Sequence, residues 1–490
     1  MTTIIHTLSE LIPELKGSRF AAIKVRGITQ DSRDVKPGDL FCARAGGCFK
    51  GTDFVPDAIR KGAAAVLLDG PEVSDCAEAS VPLIPVKNLA RQMGEIASRF
   101  YGEPGKQLYM IGITGTNGKT SCSHFLAQAL NRSGKRTAVI GTAGNGFPGS
   151  LQAATHTTPD AIGLQRLLSE LLAQGAEAVV MEVSSHAVDQ QRIAGMYFDI
   201  AAFTNLSRDH LDYHGTMSAY GETKARLFTE WQPGQSVICL DDAFGAELYE
   251  RLKPDQAVIG YGEQQGDLQA VDIELHTGGV RATLQSPWGN IPLDAAVVGR
   301  FNLANLMLTA AVLGAMGYKT HEIASGLSAL ESVPGRMQCF GGVKQPLIIV
   351  DYAHTPDALL KALQAARAHT QGQLFCVFGC GGDRDTGKRP EMGDIAAFYA
   401  DRVVVTSDNP RTEDPARIIE AIVLGITDDK NLKIEADREL AIRFAVAQAS
   451  IGDVVLVAGK GHENYQEVNG QRLPFLDEQV VQTSLQAWSL

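Results

Sequence analysis

The chain has 490 residues, 44% of them apolar and 20% charged, with 50 glycines and a formal net charge of −12. That length exceeds what one hydrophobic core sustains and leads to an expectation of about three domains, while the composition is globular and excludes collagen-like or disordered classes. The acidic balance excludes general affinity for nucleic acid or an anionic membrane, since both require a positive field, so any phosphate binding must be local.

Residues 1–16 carry no basic stretch followed by an apolar run, and no window approaches ~20 uninterrupted apolar residues. A cytoplasmic protein with no membrane partner is expected. The eight cysteines, at 42, 48, 76, 122, 239, 339, 376 and 380, include no CxxC pair. Buried or free thiols in a reducing compartment fit this spacing better than a zinc site.

In chain order, residues 1–88 alternate short apolar runs (63–68 and 81–86) with turns such as Lys36-Pro37-Gly38-Asp39, the pattern of a small α/β domain. Residues 108–113 read as a buried strand, followed by a glycine loop and a helix over 121–132. Strands over 137–140, 178–181 and 200–203 alternate with helical stretches such as 162–173, which predicts a mostly parallel sheet. Residues 235–300 lose the alternation and suggest an antiparallel insertion or edge. From about Pro346 a second α/β series begins, with strands over 347–350, 374–378, 403–406 and 454–458, each ending in a loop rich in Gly, Asp, Arg or His. Ligands sit at the carboxyl ends of open parallel sheets, so this Rossmann-like, doubly wound region is expected to bind one.

Gly115-Thr116-Asn117-Gly118-Lys119-Thr120 lies between strand and helix, where backbone N–H groups and the helix N-terminus can bind the phosphates of ATP. Lys119 would contact the outer phosphates and Thr120 would hold Mg²⁺. The strict pattern GxxxxGK[ST] is not met, because its first glycine would be Ile113. Glu182 closes an apolar strand, where an acid can reach the nucleotide's metal. The segment 204–214 packs two histidines and two aspartates into a short polar stretch, which is equally a solvated loop. Lys224, on a turn of amphipathic helix, would alone be a surface lysine.

Together these motifs resemble the Mur ligase family, ATP-dependent enzymes that add amino acids to the UDP-linked peptidoglycan precursor. The matches are the loop 115–120, Glu182-Val183-Ser184-Ser185-His186, residues 204–215, Gly299-Arg300-Phe301-Asn302, Pro334-Gly335-Arg336-Met337 and Asp351-Tyr352-Ala353-His354-Thr355-Pro356. The resemblance implies a UDP-precursor domain over 1–88, a P-loop ATP domain over 89–335 and an amino-acid domain over 336–490. It adds Ser121, Asn302, Arg336 and Asp351 to the ATP site, and makes Glu182, His210, Thr120 and Lys224 ligands of Mg²⁺. Lys224 matches the family's carbamylated lysine; carbamylation would turn a cation into an anion able to hold a second Mg²⁺. Ser32, Thr157, Thr158, Ser184, Gln190 and Arg192 fall on positions for the UDP-sugar peptide. Two places depart from the pattern: His156 stands where close relatives can have Asn, and Gly47-Cys48-Phe49 replaces a more polar triplet at the uridine end.

Asp408-Asn409-Pro410-Arg411 resembles the DNPR signature of the branch that adds meso-diaminopimelate to UDP-N-acetylmuramoyl-L-Ala-D-Glu. Diaminopimelate carries a far carboxylate that a guanidinium can grip with two parallel hydrogen bonds, whereas lysine, the alternative amino acid, offers nothing for Arg411. Arg384, Gly459 and Glu463 match the remaining diaminopimelate positions; the alternative for Arg384 is a structural ion pair with Asp383 or Asp385. The expected mechanism runs through an acyl phosphate, with closure of the third domain over the second. A monomer is expected. A folylpolyglutamate synthase-like enzyme, a P-loop kinase and a nucleotide-dependent binding protein are the competing readings.

Overall fold

The computed structural model describes residues 5–44, 51–70, 81–276, 278–427 and 431–488. Gly47-Cys48-Phe49 lies outside them. The chain divides into two compact units, Met1–Ser123 with Leu130–Ile259, and His124–Ala129 with Gly260–Leu490.

The first unit begins with a four-stranded parallel sheet, Gly27–Thr29, Asp39–Ala43, Ala65–Asp69 and Leu83–Val86. Alternate residues of its second strand face opposite cores. Leu40 and Cys42 join Leu67, Met93 and Phe100, while Phe41 and Ala43 join Val66 and Ala58. Burial on both faces is why such strands read as unbroken apolar runs.

Six further strands of this unit run side by side in the order Gln235–Cys239, Ile200–Phe203, Tyr109–Thr114, Ala178–Glu182, Thr137–Gly141 and Gly144–Gly146. Only the last strand is antiparallel to its neighbour. Tyr109–Thr114 is central, and successive strands are laid down on either side of it, so a crevice opens at its carboxyl end. The register sets Glu182 opposite Ile113 and Phe203 opposite Thr114, which brings three strand ends to one place.

The second unit contains the meander Leu268–His276, Gly279–Ser286 and Gly289–Ala295. Antiparallel structure therefore starts at residue 268, not at 235 as the sequence suggested. Gln235–Cys239 is a parallel strand followed by the helix Ala243–Leu252, and its signal is weak because its apolar run is so short. The helix Arg300–Ala315 is buried almost from end to end. Beyond it lies a six-stranded sheet, ordered Gln338–Gly341, Leu347–Asp351, Val454–Ala458, Leu374–Phe378, Arg402–Val405 and Leu432–Ile434. The first strand is antiparallel and the rest are parallel, with apolar cores on both faces. Among the described residues, no helix is long and apolar enough to cross a membrane.

Candidate active site

The phosphate loop connects Tyr109–Thr114 to the helix Lys119–Arg132. Gly115 has φ +139°, and a Cβ there would lie 1.9 Å from Thr204 Oγ1. Glycine at this position thus serves both the left-handed backbone and close approach to the neighbouring strand end. Thr204 Oγ1 donates to Asn117 O at 2.6 Å, Asn117 N–H donates to Asn205 Oδ1 at 3.0 Å, and Thr116 Oγ1 donates to Ser207 O at 3.3 Å. The polar segment after Phe203 is a clamp on the loop. Lys119 Nζ donates to Gly115 O and Thr116 O, at 2.9 and 2.8 Å.

Glu182 is the last residue of its strand and only 1% exposed. Its carboxylate accepts from Thr120 Oγ1 at 3.0 Å, from Thr142 N–H at 2.9 Å and from Thr142 Oγ1 at 3.1 Å. Thr120 and Glu182, both expected as metal ligands, are brought together. Thr142, which sequence reading missed, holds the acid in place. Two hard oxygen groups at the mouth of a phosphate loop suit Mg²⁺, which takes one or two carboxylates and fills its shell with phosphate oxygens and water. Among the described residues no group of three or more His, Cys, Asp or Glu side chains is arranged to hold a metal by itself.

Lys224, on the helix Met217–Thr229, is 1% exposed rather than on the surface. Its Nζ donates to Gly115 O at 2.8 Å and lies 4.5 Å from the centre of the Tyr220 ring. Burial, and then the charge of Lys119, hold its basicity well below that of an ordinary lysine. His210 is not joined to Glu182. It starts the short helix Leu211–His214 with φ +50°, and its ring packs 4.9 Å from His186 and 6.1 Å from Tyr220.

Five of the expected dipeptide residues form one network. Thr158 Oγ1 donates to Glu182 O and accepts from Ser184 N–H, and Ser184 caps the helix Ser185–Asp189. Arg192 donates to Thr158 O at 3.0 Å and twice to Gln190 Oε1. Thr157 Oγ1 pairs with Thr142 Oγ1 at 3.0 Å. Ser32 stands apart from these five. It lines a cavity of about 1320 Å³ together with Gly27, Arg33, Asp160 and Arg166.

In the second unit, Asp351 Oδ2 accepts from Met337 N–H at 2.8 Å, and the Arg336 guanidinium lies 5.7 Å from the Tyr352 ring centre. Burial pushes the Asp351 carboxyl above its ordinary range. Asn302 is buried and donates to Val298 O while accepting from Asn305 Nδ2, so it also fixes the start of its own helix.

The loops after Arg402–Val405 and Val454–Ala458 interlock. Asn409 Nδ2 donates to Glu463 Oε2 at 2.8 Å, and the fully buried Lys460 donates to Asn409 Oδ1 and to Glu463 Oε2, each at 3.0 Å. Burial pushes the Glu463 carboxyl up, but the hydrogen bond and charge of Lys460 outweigh it and hold the carboxyl below its usual range. Arg411, at φ +51°, donates from Nη1 to Gly382 O at 2.7 Å and has Nε 3.6 Å from Glu467 Oε2. Asp408 Oδ2 is buried without a partner, and a Cβ on Gly459 would lie 2.6 Å from it. Asp383 binds Thr412 and Asp385 binds Gly387 N–H. The bonds from Thr412 hold the Asp383 carboxyl low, and behind them the charge of Arg384 still helps. Lys460 was legible only as part of the Gly459-to-Glu463 motif.

Known proteins match the chain over most of its length. A Mur ligase family catalytic domain matches residues 24–101, the Mur ligase middle domain 113–313 and the Mur ligase glutamate ligase domain 335–461. The UDP-N-acetylmuramoyl-L-alanyl-D-glutamate–2,6-diaminopimelate ligase of Chromobacterium violaceum is 49% identical over 470 residues, covering 95% of each chain. Its namesake in Pseudomonas aeruginosa is 47% identical over 488 residues, covering 99% of each. A solved structure of a ligase of that name matches with TM-score 0.79 and 37% identity, covering 98% of this chain and 99% of that one. MurF from Thermotoga maritima, solved in complex with ADP, shares the fold at TM-score 0.58 and 22% identity, over 89% of this chain and 94% of its own. With a loop, an acid and a buried lysine arranged as above and relatives matched over nearly its whole length, the chain belongs to the Mur ligase family.

Proposed function

We propose that this ligase joins meso-diaminopimelate to the side-chain carboxylate of D-Glu in UDP-N-acetylmuramoyl-L-Ala-D-Glu, with cleavage of ATP to ADP and phosphate, in peptidoglycan precursor synthesis. The observation that carries the reading is 45–49% identity, over nearly the whole chain, to relatives bearing that ligase name. The loop Asp408–Arg411, tied to Glu463 through Asn409, supports it. Residues 1–88 serve the UDP end, 89–335 the ATP chemistry and 336–490 the amino acid; the enzyme works as a cytoplasmic monomer.

A carboxylate has no leaving group for an amine to displace. Its oxygen therefore attacks the γ-phosphorus of ATP, the bond to the β,γ-bridging oxygen breaks, and ADP leaves an acyl phosphate. The free amine of diaminopimelate then adds to the acyl carbon. The carbon–oxygen bond to phosphate breaks, and the amine proton passes to solvent. Loop amides 115–120 and Lys119 cradle the phosphates, so positioning and fixed charge supply most of the acceleration. Thr120 and Glu182 would hold Mg²⁺, with His210 and a carbamylated Lys224 available to a second ion; when bound, this charge neutralises the phosphoryl oxygens. Asn302, Arg336 and Asp351 contact the rest of the nucleotide. Ser32, Thr157, Thr158, Ser184, Gln190 and Arg192 hold the UDP-dipeptide, and Arg384, Arg411, Gly459 and Glu463 hold diaminopimelate.

Phosphate release tests the reading. Release is expected only when ATP, Mg²⁺, the UDP-dipeptide and an amino acid are all present. ATP cleavage indifferent to the dipeptide would overturn it.

A further inference from the structure

The loops that carry Asp408–Arg411 and Gly459–Glu463 spring from strands that are not neighbours. Leu374–Phe378 runs between Arg402–Val405 and Val454–Ala458, so no ladder hydrogen bond fixes one loop against the other. Asn409, Lys460 and Glu463 tie the loops to each other farther out, and at the strand ends a single guanidinium bridges the gap. Arg438, the first residue of the helix Arg438–Gln448, donates from Nη2 to Ala458 O at 3.0 Å and from Nη1 to Ser407 O at 3.4 Å. Those carbonyls belong to the residues immediately before Gly459 and Asp408.

Arg438 is itself gripped from behind. Asp477, the first residue of the helix Asp477–Ala487, accepts from Nε and Nη2, both at 2.7 Å, in a bidentate pair. Both side chains have no solvent exposure. A buried ion pair is weak evidence for stability, because desolvation offsets the attraction, and apolar residues of similar volume often serve the fold as well. The planar guanidinium does what an apolar residue cannot. It offers donors in several directions at fixed angles, two to the carboxylate and one to each strand end.

We propose that Arg438, held by Asp477, is a positioning residue for amino-acid recognition. It sets the spacing of the two loops that grip the amino acid. The proposal rests on the assignment of those loops to diaminopimelate.

The test uses the full-length enzyme in the phosphate-release assay, with KM for meso-diaminopimelate and for ATP measured separately alongside Tm. The double variant R438M/D477L removes both charges, so no unpaired charge stays buried. Its KM for diaminopimelate is expected to rise ~10-fold or more, with KM for ATP within ~2-fold of the parent and Tm retained. Arg438→Lys keeps the charge but cannot reach both carbonyls, and it is expected to raise the same KM ~5-fold at native Tm. It carries the test alone if the double variant does not fold. A folded variant with an unchanged KM for diaminopimelate overturns the proposal, as does a parallel rise in KM for ATP, the mark of general loosening. If the parent enzyme itself shows no diaminopimelate-dependent release, the substrate assignment fails and this proposal with it.

Discussion

Lys119 and Lys224 converge on one backbone oxygen: Gly115 O accepts from both Nζ atoms, at 2.9 and 2.8 Å. Two amines sharing a carbonyl at the start of the phosphate loop disfavour a second full charge. Burial already presses Lys224 toward its neutral form. A neutral amine is the form that captures CO₂ as a carbamate. Lys224→Met should therefore abolish turnover, a loss on the order of 10²-fold or more, with no fall in Tm. The sign follows from linkage. The unfolded lysine is charged up to its ordinary value of 10.5, whereas the folded one gives up its proton well below that, so the amine lowers stability at neutral pH. Lys224→Ala should recover part of its activity with added small carboxylates. Phosphate release and thermal melts check both; an active Lys224→Met enzyme would remove the carbamate role.

Gly115→Ala should lower kcat/KM for ATP by on the order of 10-fold to 10²-fold. It places a Cβ 1.9 Å from Thr204 Oγ1 at a φ of +139°, where strain costs about 1–3 kcal/mol. Adding Thr204→Ala removes that contact but neither the backbone strain nor the tight approach of Asn205 N and O at 3.0 and 3.1 Å, so steady-state kinetics should show only partial recovery. Full recovery would mean that φ does not matter here.

The strands and their ends were legible because parallel strands buried on both faces leave unbroken apolar runs, and site residues follow those runs directly. Glu182 is such a case. Lys224 read as a surface lysine because a sequence does not reveal which helix face meets the phosphate loop; Tyr220, one turn earlier on the same helix, helps cover it. Arg438 and Asp477 were invisible for a related reason, and Lys460 stood out only by its motif. Buried charges look like solvated ones until partners far along the chain are known, and Lys460 meets Asn409 across 51 positions while Arg438 meets Asp477 across 39. The parallel strand Gln235–Cys239 was lost to its short apolar run.

Acid should weaken the second unit through two buried histidines. His369 accepts Gly299 N–H on Nε2 at 2.8 Å and meets His276 O through Nδ1 at 2.6 Å, a pair that requires the neutral ring protonated on Nδ1. Burial lowers its pKa, and burial lowers that of His124 from 6.5 to about 4. Unfolded histidines take up protons near 6.5 while these do not, so their contribution is intact above pH 6.5 and is lost as pH falls. For His124 the loss between pH 6.5 and 4 is on the order of 3 kcal/mol. Urea melts of the parent and of His124→Leu across this range check it. The variant should have the shallower slope, and equal slopes would contradict the assignment.

Arg411→Ala should raise KM for meso-diaminopimelate by on the order of 10²-fold while leaving KM for ATP little changed. Nη1 is committed to Gly382 O and Nε lies near Glu467, which fixes the plane of the guanidinium and leaves Nη2 for an incoming carboxylate. Kinetics with each substrate varied in turn separate the two constants. A parallel rise in both would contradict a specificity role.

The identity of the added amino acid separates a diaminopimelate ligase from a lysine ligase. The most direct measurement is phosphate release with ATP, Mg²⁺ and UDP-N-acetylmuramoyl-L-Ala-D-Glu, comparing meso-diaminopimelate with L-lysine at equal concentrations. Diaminopimelate should be favoured in kcat/KM by about 10²-fold or more, because lysine leaves the Arg411 guanidinium without its carboxylate. Equal rates, or a preference for lysine, would contradict the account.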